Sequence, residues 1–220
     1  MATCVIMGAG PGVSNSLAKS FLARGYHVAL CARNIDKLKE LACALGTDVS
    51  TWQLDVADSS AIEKVTGEIA KAHGDIEVLL YNAYVQEPGK GSTLALNKFN
   101  QSLMVNVSGA LAAAQAVLPE MISKEKGTIL FTGGGLGTQP FYNMTALSVG
   151  KAALRALALC LNQELGRRGI HVGTVTICGI VKPGSKFDPD AIAESFLQLH
   201  DQPSGSFEAE IVFDGKSANS

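Results

Sequence analysis

The sequence predicts a doubly wound α/β domain, with six or seven parallel strands covered by helices on both faces. Three observations predict it. A short apolar run at residues 4–7 (CVIM) breaks into glycines at 8, 10 and 12 and then into a helix-like stretch over 13–22. Further short apolar runs alternate with helical stretches to the end of the chain, the pattern of crossover units feeding one parallel sheet. The 220 residues suit one sizeable domain and are short for two, and no repeat or low-complexity linker marks a boundary.

The first unit sets the chemistry. Strand, glycine turn and helix in that order make a cradle for phosphate: glycine lets backbone come close to a pyrophosphate, and the first helix amides offer free N–H groups at the positive end of a dipole. Val13 stands where the common fingerprint G-x-G-x-x-G wants its third glycine. Gly8 and Gly12 fit a looser G-x-x-x-G-x-G spacing, with Ser14 in the last place. Gly8, Gly10, Gly12 and Val13 are therefore the candidate phosphate contacts, against the alternative of a tight turn with no ligand. Gly25 ends the helix and residues 26–32 form the second strand, so a βαβ unit closes within about 30 residues. An NAD site wants an acidic residue at the end of that strand; this chain has Cys31-Ala32-Arg33. A guanidinium matches the oxygens of a 2′-phosphate, which favours NADP over NAD, unless Arg33 merely caps a surface strand.

Residues 34–45 continue as a helix with Leu38, Leu41, Ala42 and Leu45 on one face, stopped by Gly46. A third strand over 49–56 ends in Asp55-Val56, a helix covers 59–72, and 76–80 is an uninterrupted apolar strand. That strand runs into Tyr81-Asn82-Ala83-Tyr84, polar groups at the strand end where open α/β sheets place ligands. One long helix is expected over 93–123, with Asn106 between Val105 and Val107 needing an internal hydrogen-bond partner. A strand at 127–132, the glycine run 133–135, a helix at 144–165, a strand at 171–178, a loop at 183–190, a helix at 191–200 and a strand at 207–213 complete the chain.

Composition narrows the partners. Only 17% of residues are charged and the net charge is −2, which points away from nucleic acid and anionic membrane surfaces. The five cysteines are odd in number, lack C-x-x-C pairs and mostly lie in apolar runs, so they read as reduced core residues of a cytoplasmic protein. No leader is expected, nor any apolar run of the ~20 residues a membrane span needs.

These residues together resemble the short-chain dehydrogenase/reductase family over nearly the whole chain: the N-terminal glycine loop, Asp55-Val56 closing the third strand, Asn82-Ala83 after the fourth, Asn106 in the long helix and Lys151 in the next. The resemblance implies a Rossmann-like fold in which Asp55 holds the adenine amino group, Asn82 and Ala83 back the glycine loop, and Lys151 binds the nicotinamide ribose. It also implies that Gly179, Ile180 and Val181 meet the carboxamide and that Asn106 holds a relay water. The family's Tyr-x-x-x-Lys uses the lysine charge to lower a phenol's pKa. Here Leu147 stands four residues before Lys151, and Gly134 takes the place of the serine.

Three groups are candidates for the missing proton transfer. Tyr142 lies in the loop before the Lys151 helix, Tyr84 lies on the loop after the fourth strand, and Ser148 makes an S-x-x-K spacing with Lys151. Thr132 could lend a hydroxyl, and the glycine run could lend amides to a carbonyl oxygen. The resemblance implies an NADP(H)-dependent oxidoreductase of a small carbonyl or alcohol substrate, with a short substrate segment at about 179–200; the alternative is a catalytically silent nucleotide-binding relative acting as a sensor or assembly partner. Ala-, Leu- and Gly-rich helices over 97–121 and 144–165 favour close helix packing, and in the family such helices pair as a homodimer or homotetramer.

Overall fold

The computed structural model describes residues 1–216. Its strands are β1 (Thr3–Met7), β2 (His27–Ala32), β3 (Val49–Gln53), β4 (Ile76–Tyr81), β5 (Gly127–Gly134), β6 (Ile170–Ile177) and β7 (Glu210–Phe213). All seven pair in parallel in the order β3-β2-β1-β4-β5-β6-β7, so the sheet is doubly wound and the chain reverses direction across it between β1 and β4. Such a switch point opens a crevice at the strands' carboxyl ends.

The helices are α1 (Val13–Ala23), α2 (Ile35–Leu45), α3 (Ser59–His73), α4 (Leu96–Leu103), α5 (Gly109–Lys124), α6 (Thr145–Leu165) and α7 (Pro189–His200). Period-two alternation sorts the apolar strands between two cores. Val5, Met7, Leu79, Tyr81, Ile129 and Phe131 face α3, α5 and α6, while Cys4, Ile6, Val78, Leu80 and Leu130 face α1 and α7.

Several expectations are corrected. The long helix begins at Leu96 rather than 93 and is broken by a π turn, Met104–Ser108, between α4 and α5. The Tyr81 hydroxyl donates to the Val105 carbonyl at 2.5 Å, giving that turn a partner outside the helix. Gly109 follows because a Cβ there would lie 2.3 Å from the Val56 carbonyl oxygen. β3 stops at Gln53, since Asp55 turns the chain by accepting the Ala57 amide on its side chain and the Asp58 amide on its carbonyl. β5 runs on through Gly133 and Gly134, which pair with Thr176 and Ile177. β7 begins at Glu210, because Phe207 stacks on His171 with ring centroids 4.4 Å apart. α7 begins at Pro189, with Asp188 as its side-chain cap.

The run Leu96–Lys124 is, by length and composition, long and apolar enough to cross a membrane, contrary to the expectation of no such run. Its Gly109, Ala110, Ala113, Ala114, Val117 and Met121 are buried as part of the core. The cysteines divide: Cys4 and Cys31 are buried, whereas Cys43, Cys160 and Cys178 are exposed, and all five are free thiols.

Candidate functional site

A cleft of about 1020 Å³ lies along the carboxyl ends of the strands. Its floor at one end is the loop after β1. Gly8 has φ +84°, and a Cβ on it would sit 2.3 Å from the Ala83 amide nitrogen, so only glycine lets the β1 and β4 loops touch. The Gly8 and Ala9 amides both donate to the Cys31 carbonyl, at 2.9 and 3.0 Å. Ser14, which stands where a glycine was expected, is buried. Its hydroxyl accepts from the Gly10 amide at 2.9 Å and from Asn82 Nδ2 at 3.3 Å, pinning the loop from inside. Asn82 Nδ2 also donates to the Gly8 carbonyl at 3.1 Å. α1 then starts at Val13 behind Gly12, with no side-chain cap, and Gly12, Val13 and Ser14 line the cleft at this positive helix end.

Arg33 is exposed at the rim, and Asp55 is exposed beside buried Val56 on the same wall. At the other end, Lys151 on α6 is buried, with 8% of its surface exposed. Its Nζ donates to the Thr132 carbonyl at 2.5 Å, and Thr132 Oγ1 in turn donates to Asn82 Oδ1 at 2.9 Å. Hydrogen bonds thus run from Lys151 through Thr132 and Asn82 to the glycine loop. Burial lowers the ammonium's pKa to about 8. The Lys151 Nζ also lies 5.6 Å from the centroid of the Tyr84 ring, which lines the cleft.

The remaining candidates fall on both sides of the cleft wall. Leu147, four residues before Lys151, is buried and lines it. Gly134 has an extended backbone (φ −166°), and a Cβ on it would make ordinary 3.6 Å contacts with the Lys151 side chain. Gly179 and Val181 line the cleft with Ile180, and Gly179 is required because a Cβ would meet the Phe187 ring at 2.2 Å. Cys178 also lines it, its thiol pKa raised chiefly by burial and further by Asp214 and Glu210.

Three expected residues make contacts away from the cleft or hold its loops. Tyr142 is 64% exposed, packed edge-on against Phe141 with Lys90 Nζ 5.7 Å from its ring centroid, and is not among the cleft-lining residues. Ser148 Oγ accepts the Phe141 amide at 3.2 Å and serves the loop before α6. Asn106 is buried with its amide committed: Oδ1 accepts from the Val85 amide at 3.1 Å, and Nδ2 donates to the Val85 carbonyl and to Ser102 Oγ. Asn106 therefore fixes the loop that carries Tyr84. Sequence reasoning missed the tie between Ser14 and Asn82, whose only trace in the chain is a serine inside a glycine motif.

The family profile described as short chain dehydrogenase matches residues 2–188. The chain belongs to the short-chain dehydrogenase family. Among its relatives, the 2,3-dihydro-2,3-dihydroxybenzoate dehydrogenase of Bacillus subtilis (strain 168) is 30% identical over 183 residues, covering 82% of this chain and 68% of the relative. An uncharacterised oxidoreductase of Staphylococcus aureus (strain N315) is 27% identical over 209 residues, 90% of each chain. A metagenomic short-chain oxidoreductase solved in complex with NADP superposes with a TM-score of 0.85 at 25% identity, over 96% of each chain. Membership places this chain in a family of NAD(P)-dependent oxidoreductases.

Proposed function

We propose that this short-chain dehydrogenase is an NADP(H)-dependent oxidoreductase of a small carbonyl or alcohol, and that its proton donor is atypical. The observation that carries the reading is the glycine turn on the cleft wall. A Cβ on Gly10 or Gly12 would meet nothing within 4 Å, so open space lies over the turn at the uncapped start of α1, and that suits a diphosphate. In this reading Gly10, Gly12 and Val13 hold the diphosphate and Arg33 takes the 2′-phosphate. Asp55 and Val56 border the adenine, Asn82 and Ala83 support the loop, and Lys151 reaches the nicotinamide ribose. Gly179 and Val181 meet the carboxamide. The bound cofactor supplies hydride, and the residues orient it and exclude water. The metagenomic relative's NADP supports the choice of cofactor.

Leu147 and Gly134 occupy the places the family gives to its tyrosine and serine, so neither can move a proton. Asn106, with its side chain spent on Val85 and Ser102, contributes by positioning, and Tyr142 would have to leave the outer surface to reach the cleft. Of the short stretch at about 179–200, Gly179, Ile180 and Val181 line the cleft and border the substrate, while Phe187, Ile192, Phe196 and Leu199 are buried in the core; with Ile180 88% exposed that side stays open, which suits a small substrate that enters and leaves freely. Met104, Leu111 and Val149 on neighbouring helical surfaces point outward, which supports pairing of two copies. The free exposed thiols suit a reducing compartment such as the cytoplasm.

The test is a fluorescence titration with NADPH and NADH, followed by NADPH oxidation against aldehydes, ketones and quinones. The expected result is NADPH binding at least tenfold tighter than NADH, with turnover of some carbonyl. The double variant Gly134→Ser/Leu147→Tyr, whose serine Cβ meets only ordinary contacts, is expected to raise turnover. Failure to bind either nucleotide at millimolar concentration refutes the reading, and binding without turnover by the wild type leaves the silent nucleotide-binding alternative.

A further inference from the structure

We infer that Lys151 itself is the general acid of the reduction, and general base of the reverse reaction, donating its own ammonium proton to the substrate oxygen. The inference rests on the oxidoreductase reading above. Elimination on the cleft wall leaves Lys151, the Tyr84 phenol and the Cys178 thiol, and of these Lys151 joins the hydrogen bonds that run through Thr132 and Asn82 to the glycine loop. Thr132 Oγ1 has its proton directed to Asn82, Ser148 faces the Phe141 amide, Leu147 and Gly134 have no proton to give, and Tyr142 lies outside the cleft. Lys151 lines the cleft, commits one N–H to the Thr132 carbonyl and keeps two more.

The surroundings favour giving the proton up. Lys151 is buried with its stem beside Gly134, and among the described residues no carboxylate pairs with its ammonium. Of the elements against α6, β5, the π turn and the turn Gly135–Gly137 carry no titratable side chain. β6 carries His171 at its far end, and α4 carries Lys98, which pairs with Glu87. Arg155, one turn along α6, is held by Glu210. Arg167 and Arg168 lie in the turn beyond the far end of α6. The Tyr84 phenol and the Cys178 thiol share the cleft, and neither hydrogen-bonds to Lys151 Nζ. An acid that releases its proton near pH 8 is well matched to catalysis at neutral pH.

The step balances. With the bound cofactor supplying hydride to the carbonyl carbon, the π pair would move to oxygen, and the oxygen would take a proton from Lys151. The N–H bonding pair stays on nitrogen, and the neutral amine then recovers a proton from water.

The experiment compares the wild type, Lys151→Arg and Tyr84→Phe by NADPH titration and by the pH dependence of kcat/KM. Competitive acetylation of the wild type, read by mass spectrometry, follows the protonation of Lys151 without turnover. Arginine keeps the charge and the donors but does not release a proton at these pH values. Expected are NADPH affinity retained within a few-fold in Lys151→Arg, turnover lost by a factor of about 100 or more, and turnover in Tyr84→Phe within threefold of the wild type. The wild type should show a fall in kcat/KM for reduction near pH 8, and Lys151 labelling should have its midpoint in the same range. Turnover retained by Lys151→Arg, turnover lost in Tyr84→Phe, or labelling with an ordinary lysine midpoint overturns the proposal while leaving the oxidoreductase reading standing. NADPH that does not bind, or binds and is never oxidised, overturns that reading and this proposal with it.

Discussion

A buried ammonium without a counter-ion costs stability, and the cost at Lys151 can be worked out. Lowering the amine from 10.5 to about 8 corresponds to about 3 kcal/mol of preference against the charged form in the folded protein. Lys151→Met keeps the unbranched stem and removes the charge. It also strips the Thr132 carbonyl of its donor, at a cost of about 1 kcal/mol. The net expectation is a variant more stable than the wild type by about 2 kcal/mol at pH 7, measured by urea unfolding without nucleotide. The pH dependence has a definite sign. Between pH 8 and 10.5 the unfolded chain still holds the lysine proton that the folded chain has released, so wild-type stability gains from this group as pH rises. The variant lacks that gain, and its advantage should close across the same window. Groups common to both proteins cancel in the difference. A variant no more stable than the wild type at pH 7, with a constant gap up to pH 10.5, would refute the claim that the ammonium is desolvated.

Three further outcomes follow from the geometry. Gly8→Ala puts a Cβ 2.3 Å from the Ala83 amide at φ +84°, so a loss of about 2–4 kcal/mol in unfolding free energy and of NADPH binding by fluorescence is expected. Arg33→Ser should weaken NADPH at least tenfold in the same titration while leaving NADH nearly unchanged, since only the 2′-phosphate loses a partner. Arg155→Gln breaks the two-pronged pair with Glu210, whose carboxyl is held below the usual carboxylate range first by that guanidinium and also by Thr176. A carboxylate lowered in this way contributes stability above pH 4.5 that is lost as pH falls through its folded value, so thermal unfolding of the variant should show a Tm lower by about 2–4 °C at pH 7, the equivalent of about 1 kcal/mol, and a flatter acid limb.

The sheet was legible because its evidence is local. Residues 76–80 are apolar without interruption, glycines punctuate the turns, and Asn34 and Asp58 sit where helix caps are expected. The glycine turn after β1 was legible for the same reason. What escaped the sequence depends on distant partners. The π turn needs the Tyr81 hydroxyl 24 residues away, and Asn106 clamps Val85 across 21 residues, so neither leaves a periodic trace. Tyr142 is only nine residues from Lys151, yet the loop before α6 turns it outward against Phe141. Chain proximity said nothing about which side of the wall it would take. Cys43 and Cys160 lie on helices beside apolar residues but face outward, because a composition window does not register which face a residue occupies.

The cost at Lys151 bears on the choice between an active and a silent protein. A protein that only bound nucleotide could meet ribose hydroxyls with a neutral donor and avoid desolvating a charge, and replacing a buried charge by an apolar group is often stabilising. Here Lys151 is buried, and among the described residues a backbone carbonyl is the one hydrogen-bond partner of its ammonium. A group held at such expense is most simply explained by work that needs a removable proton, because ribose binding needs donors and arginine also supplies those. The two roles therefore separate at a single substitution: if Lys151→Arg binds NADPH and still turns over, the buried amine serves binding alone, and if it binds and does not turn over, the proton is what the site maintains.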